Sequence, residues 1–282
     1  MSAEVWGLVL TAALGHALWN FAARKVAGNT VVLWFSFTLG NALMIPFCAY
    51  QWWQGAAPNL TWLSGICLLA TGIFHGFYFI LLARAYEHGE ISLVYPIARG
   101  SGIGLTAFIT WLVLGEEISF FGAGGIGLIF AGIFCLGTPA LREQTHGLKL
   151  ALGVGATIVA YSLVDKIGVG YMQPFYYICG MWIISTLFWT PFVLRKSGPS
   201  LSITFRTYWN YIALIGPASL GTYMLILYAY SKGPISYIIA ARESSVIIGA
   251  LLGFTLLKER LTIFKICGII AIAGGLALIK AG

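Results

Sequence analysis

Of the 282 residues, 59% are hydrophobic and only 9% are charged, with a net charge of +7. Soluble domains carry about 25% charged residues, so this chain lacks the charge to cover a water-facing surface, and the membrane is the better solvent. Lys and Arg cluster at the ends of apolar runs; the positive charge therefore reads as membrane topology, and no nucleic-acid partner is expected.

Apolar runs long enough to span a hydrocarbon core of about 30 Å recur along the chain. They predict ten helices, near 5–23, 31–52, 60–84, 92–114, 119–138, 148–166, 172–194, 208–230, 234–257 and 261–280. The runs are continuous rather than alternating, which argues against barrel strands. The N-terminus begins "MSAEVWGLVL", with no basic stretch before the apolar run, so no cleavable signal is read and the first segment is expected to stay as a helix. It places His16, Trp19 and Asn20 on one face at i, i+3, i+4 spacing. The second ends in "YQWWQ", an interfacial aromatic belt. The third puts His75 and Tyr78 on a shared face.

The fourth contains "ARGSGIG", with Arg99 and Ser101 between small residues. The fifth opens with "GAGGIG", which no strand precedes; it reads as helix packing through Ala123, Gly127 and Ala131 rather than as a nucleotide loop. The sixth offers Thr157, Tyr161 and Asp165, with Asp165 expected to pair with Lys166. The longest connection, 195–207, precedes an eighth helix with Ser219 and Tyr223. The ninth contains "ARESSVI", with Arg242, Glu243 and Ser244. Bends are expected at Pro96, Pro217 and Pro234. The five cysteines are scattered singly and read as small core residues.

Eleven of the sixteen Lys and Arg fall on one side of the predicted bundle and three on the other, the side of the N-terminus; Arg99 and Arg242 lie inside. The positive-inside rule then puts both termini outside the cytoplasm.

The chain repeats itself. "ARAYEHGEIS" (83–92) matches "LYAYSKGPIS" (227–236) at an offset of 144, and Arg99/Arg242, Ser101/Ser244 and Glu116/Glu259 match at 143. The halves are 1–141 and 142–282, of five helices each. Five is odd, so the second copy enters the membrane upside down, the inverted repeat of secondary transporters with a site near the midplane. The two arginines then approach the middle from opposite faces, roughly 10–12 Å in from their helix starts. An arginine at that depth costs about 2.5 kcal/mol or more without partners. Either both lock the halves through carbonyls and Glu243, or they line a cavity and meet an anionic group.

Ten helices in two halves, the "LGEEIS" and "LKERLT" turns after each fourth helix and the "AxxxGxIS" pattern before it resemble the drug/metabolite transporter superfamily, EamA type. The resemblance implies transport of a small organic solute, more often by export than import, in a superfamily that moves amino acids, nucleotide-type metabolites, amines and drugs.

The residues themselves contain no Walker lysine motif, so alternating access without direct use of ATP is expected. The candidate substrate-binding residues are His16, Trp19, Asn20, His75, Tyr78, Arg99, Ser101, Tyr161, Tyr223, Arg242, Glu243 and Ser244, and the candidate proton carriers are Glu243, His16 and His75. Two arginines against one glutamate favour an amino-acid-like zwitterion or an anion. The aromatics Trp19, Tyr78, Tyr161 and Tyr223 favour an organic cation instead. An enzyme is disfavoured for want of HExxH, GxSxG or a carboxylate cluster, and a channel is disfavoured by the inverted repeat. The remaining expectations are a plasma or inner membrane location, a monomer or homodimer, and no metal or cofactor. Helices two, five, seven and ten look plainer at central depth and are expected to form an outer wall.

Overall fold

The computed structural model describes residues 1–26, 29–88, 91–137, 145–197, 201–257 and 262–282. The expected boundary between the halves at 141/142 and the expected mate of Glu116, Glu259, lie outside the described residues, as does the side chain of Pro96. Among the described residues there is no strand. In chain order the helices are α1 (Ala3–Lys25), α2 (Thr30–Trp53), α3 (Trp62–His88), α4 (Ile91–Val113), α5 (Phe120–Gly137), α6 (Thr145–Gly168), α7 (Pro174–Ser197), α8 (Leu201–Lys232), α9 (Ile235–Arg242), α10 (Ser244–Leu257) and α11 (Ile263–Ala281). Eight helical segments are long and apolar enough to cross a membrane, one of them running through α9 and α10, and 97–113 and 120–136 are shorter apolar helices.

Local chemistry sets the ends. The Asn29 side chain accepts from the N–H groups of Val31 and Val32 and starts α2. Thr262 does the same for α11 through Lys265 N. After α4, Gly115 takes a positive φ of 64°, a conformation that costs glycine little. The chain swings there, and Glu116 crosses to the start of α9. Pro234, the residue before α9, has no side-chain acceptor to offer. The Glu116 carboxylate takes that role: it accepts Ile235 N at 2.7 Å, Ser236 N at 3.1 Å and Ser236 Oγ at 2.6 Å. A carboxylate there meets both free N–H groups and the positive end of the helix dipole.

Two expected elements differ. α8 begins at Leu201, because the segment before the expected start is itself helical and joins across a kink at Tyr208 (φ −111°, ψ 18°). The expected ninth helix is broken at Glu243, whose ψ of −6° takes the carbonyl off the helical ladder. Glu243 N bonds back to Ala240 O at 3.1 Å, and Val246 N bonds to Glu243 O at 2.9 Å, the tighter i to i+3 pattern.

Helix packing respects the sequence repeat. α1 packs on α8 and α10, and its mate α6 packs on α3 and α4. α2 packs on α8 and α7, and its mate α7 on α3 and α2, while α5 meets α11 and α4 meets α9. Exchanging each helix for its mate returns these main contacts, while smaller ones such as α7 with α8 have no counterpart of the same size.

The α5–α11 contact corrects one expectation. A Cβ on Gly125 would sit 2.6 Å from Gly275 O, and one on Gly132 would sit 2.8 Å from Gly268 O. Around Gly127 there is open space, and Ala123 and Ala131 are exposed. Small residues do pack here, but on the face of Gly125 and Gly132, seven residues apart. Nor are α2 and α7 plain, since Trp34 Nε1 donates to Thr190 Oγ1 at 2.8 Å and Asn41 Nδ2 to Thr186 Oγ1 at 3.2 Å.

Gly275→Ala should lower stability by about 1–3 kcal/mol through overpacking, whereas Gly127→Ala should stay within about 0.5 kcal/mol of the parent; unfolding of the purified protein in detergent compares them. Glu116→Ala should cost about 0.5–2 kcal/mol, the range for a lost helix cap, in the same assay.

Candidate functional site

The polar residues of the interior gather where α3, α4, α6, α8 and the α9/α10 break come together. Arg99 projects from α4, and Glu243 occupies the break. The two form a bidentate ion pair, Arg99 Nε to Glu243 Oε2 at 3.1 Å and Arg99 Nη2 to Oε1. Arg99 is 7% exposed and Glu243 fully buried. The fork of a guanidinium matches both carboxylate oxygens, and this geometry is what makes a buried pair tolerable.

Arg242 is the neighbour that this pairing leaves over. It is 3% exposed, its Nε has no hydrogen-bond partner, and among the described residues it forms no ion pair. Arg99, Glu243 and the hydroxyls of Tyr161 and Tyr230 are within electrostatic reach of it. The hydroxyls of Tyr230, Ser244 and Ser245 are also buried without a partner. Orphaned buried donors are rare in folded proteins and call for an explanation where they cluster.

An aromatic box adjoins these groups. His75 stacks on Tyr161 with centroids 4.0 Å apart and meets Tyr223 edge-on at 5.4 Å and Trp182 at 5.9 Å. Tyr78 meets Tyr161 at 6.0 Å. Below the box lies Asp165, fully buried. Its carboxylate accepts from Thr71 Oγ1, from Tyr177 OH at 3.1 Å and from Tyr223 OH. The expected Asp165–Lys166 pair is not formed. Successive helical residues point to different faces, and Lys166 Nζ turns to the terminal carbonyls of α8, Tyr230 O at 2.6 Å and Gly233 O at 2.7 Å. A cleft of about 560 Å³ opens beside it, lined by Leu114, Glu116, Lys166, Ile167, Tyr171 and Pro234 among others.

The remaining sequence candidates fall into two groups. His75, Tyr78, Arg99, Tyr161, Tyr223, Arg242, Glu243 and Ser244 are at this centre. His16 is half-buried within electrostatic reach of both arginines, with Trp19 edge-on at 4.9 Å. Asn20 spends its amide on His16 O at 2.7 Å, within its own helix. Ser101 is satisfied by Ile97 O at 2.7 Å and packs into the space beside Gly155, where a Cβ would meet its Oγ at 2.0 Å. Sequence reasoning passed over Thr71, Tyr177, Trp182, Tyr230 and Ser245, and it set Asp165 aside. One signal was available, because Asp165 is the only aspartate in the chain.

Comparison with known proteins gives the family. The EamA-like transporter family matches twice, over 5–138 and 145–281, so the two copies cover almost the whole chain. An uncharacterized protein of Sinorhizobium fredii, y4nH, is 26% identical over 112 residues, which are 38% of this chain and 96% of that protein. The quaternary ammonium compound-resistance protein QacF of Klebsiella aerogenes is 32% identical over 62 residues, 22% of this chain; the match spans 56% of QacF. A solved crystal structure superposes with a TM-score of 0.77 over 100% of this chain and 98% of its own, at 15% identity, a likeness of fold alone. The chain is a multi-pass membrane protein with two EamA repeats and belongs to the EamA-like transporter family.

Proposed function

We propose that this protein is a secondary transporter of a zwitterionic or anionic small metabolite, amino-acid-like in its head group, moved outward by alternating access. The eight long spans with the two shorter apolar helices support ten crossings, and five per repeat would invert the second half. Three observations support that arrangement: the exchange of helix neighbours between mates, the double family match, and a relative that is nearly matched whole by 38% of this chain. The Lys and Arg bias places both termini outside the cytoplasm, across a plasma or inner membrane.

Arg242 carries the substrate reading. Glu243 already neutralises Arg99, so Arg242 is the buried positive charge left to meet a carboxylate. The unpartnered hydroxyls of Tyr230, Ser244 and Ser245 are the donors to complete it. The aromatic box then holds the substrate's body. This divides the two arginines between the two roles that the sequence left open: Arg99 locks and Arg242 reads. Of the proposed proton carriers, Glu243 is held by Arg99 and His16 faces two cations, while His75 is hydrogen-bonded to Thr71 through Nδ1 at 3.1 Å.

A second reading, an organic cation, is favoured by the tyrosine and tryptophan rings of the box and by the resistance to quaternary ammonium compounds for which QacF is named. A thermal-shift screen of the purified protein in detergent decides between them, with amino acids, carboxylates and phosphonates set against choline-like and aromatic amines. A ligand at about 100 times its Kd stabilises by about 2.7 kcal/mol. Stabilisation by zwitterions or anions, abolished in Arg242→Ala, is expected. Stabilisation by amines alone would hand the site to the box.

The two arginines should also part company in unliganded protein. Arg99→Ala strands Glu243 as a buried unpaired charge and should cost about 3–5 kcal/mol, most of it recovered in the double variant Arg99→Met, Glu243→Leu. Arg242→Ala should leave stability unchanged or higher. Chemical unfolding of the four proteins provides the comparison.

A further inference from the structure

Asp165 has no part in the substrate reading above, yet its surroundings are built. Among the described residues no cation lies within ion-pair distance of it, and its side chain is fully buried. An ionised carboxylate is costly in such a place, and polar groups kept at membrane depth mark ion and proton pathways. Three hydroxyls from three different helices converge on it: Thr71 of α3, Tyr177 of α7 and Tyr223 of α8. The other charged or titratable groups around it are Cys67 and His75 from α3, Tyr161 and Lys166 on its own helix, Tyr230 from α8 and Arg242 from α9. Only Arg242 offers positive charge, and at a distance, because Lys166 is spent on the carbonyls of Tyr230 and Gly233.

Two connections lead away from Asp165. Towards the surface, the next two residues of α6, Lys166 and Ile167, line the 560 Å³ cleft. Towards the centre, Thr71 Oγ1 donates to Asp165 and also lies 3.1 Å from His75 Nδ1, and Tyr223 carries its hydroxyl on Asp165 and its ring against His75 at 5.4 Å. The carboxylate is thus tied by hydrogen bonds to two sides of the aromatic box, and along α6 it precedes by one residue the lining of the cleft, which it does not itself reach.

We propose that Asp165 is the proton-carrying carboxylate of this transporter, loaded from the cleft at the Lys166 end of α6. Hydronium in the cleft gives one proton to a carboxylate oxygen and leaves as water, so the charge of the side chain goes from −1 to zero. An ionised carboxylate accepts all three hydroxyls. The neutral acid becomes a donor, and the oxygens placed to accept its hydrogen are those of the three hydroxyls, so the one that accepts turns its own hydrogen elsewhere. Tyr223 and Thr71 are the hydroxyls whose turning alters the box, which couples the proton to the shape of the central site. The coupling rests on the transporter reading; the titration of Asp165 does not.

Because Asp165 is the only aspartate, aspartate labelled with ¹³C at the side-chain carboxyl reports on this residue alone, without a mutation. The experiment uses the full chain in lipid nanodiscs, with solid-state ¹³C NMR or isotope-edited infrared spectra recorded across the neutral pH range. It is run in choline and in sodium salts at equal ionic strength, and no substrate is added. The expected result is one signal that converts between carboxylate and carboxylic acid, equally in both salts. A signal that stays in one form throughout overturns the proposal. A signal that responds to sodium instead of pH also overturns it, and makes the oxygen cluster a metal-cation site. If the ligand screen finds no zwitterion or anion while the titration is seen, the substrate reading falls and the proton site stands.

Discussion

Everything at the centre of this molecule follows from one buried ion pair. Arg99 belongs to the first repeat and Glu243 to the second, and neither touches water appreciably. In a low-dielectric interior, a guanidinium and a carboxylate can be held together only where geometry lets both hydrogen bonds form. The break in the helix at Glu243 supplies that geometry. With the ladder interrupted there, the α9–α10 segment bends at the residue that has to meet Arg99. The Glu243 N–H and carbonyl stay bonded through the break, to Ala240 O and Val246 N, in the tighter i to i+3 pattern.

The pair has a second consequence. The repeat supplies two arginines but only the second copy has a glutamate beside its arginine; the corresponding residue in the first copy is Gly100. One charge is therefore left over. Symmetry of sequence has produced asymmetry of charge, and the surplus falls on Arg242, among hydroxyls with no partner of their own.

Much of this was legible before the structure. Periodicity and run length located the helices, and the repeated "AR" drew attention to Arg99 and Arg242. What stayed hidden was pairing across helices. Asp165 looked like a partner for Lys166 because the two are adjacent in sequence, yet adjacent helical residues point about 100° apart and find different neighbours. Thr71 and Tyr177 carry no mark in a sequence rich in hydroxyls and rings; only packing makes them donors. The glycine face of α5 failed for a related reason. Four-residue spacing identified one stripe, but close approach to α11 selected Gly125 and Gly132, seven residues apart, against Gly275 and Gly268.

The repeat motif itself acquires a physical meaning from Glu116. In sequence, the glutamate turn and the "GxIS" segment read as two separate signatures, each present in both halves. In space they are the two sides of one contact: the glutamate that follows α4 caps the Ile235 and Ser236 N–H groups that begin α9. Pro234 cannot cap its own helix, so the cap has to come from elsewhere, and it comes from the other repeat. The fastening at α9 sits beside the open cleft, with Glu116, Pro234 and Lys166 all on its wall. The contact that joins the two repeats is therefore also part of the wall of this cleft.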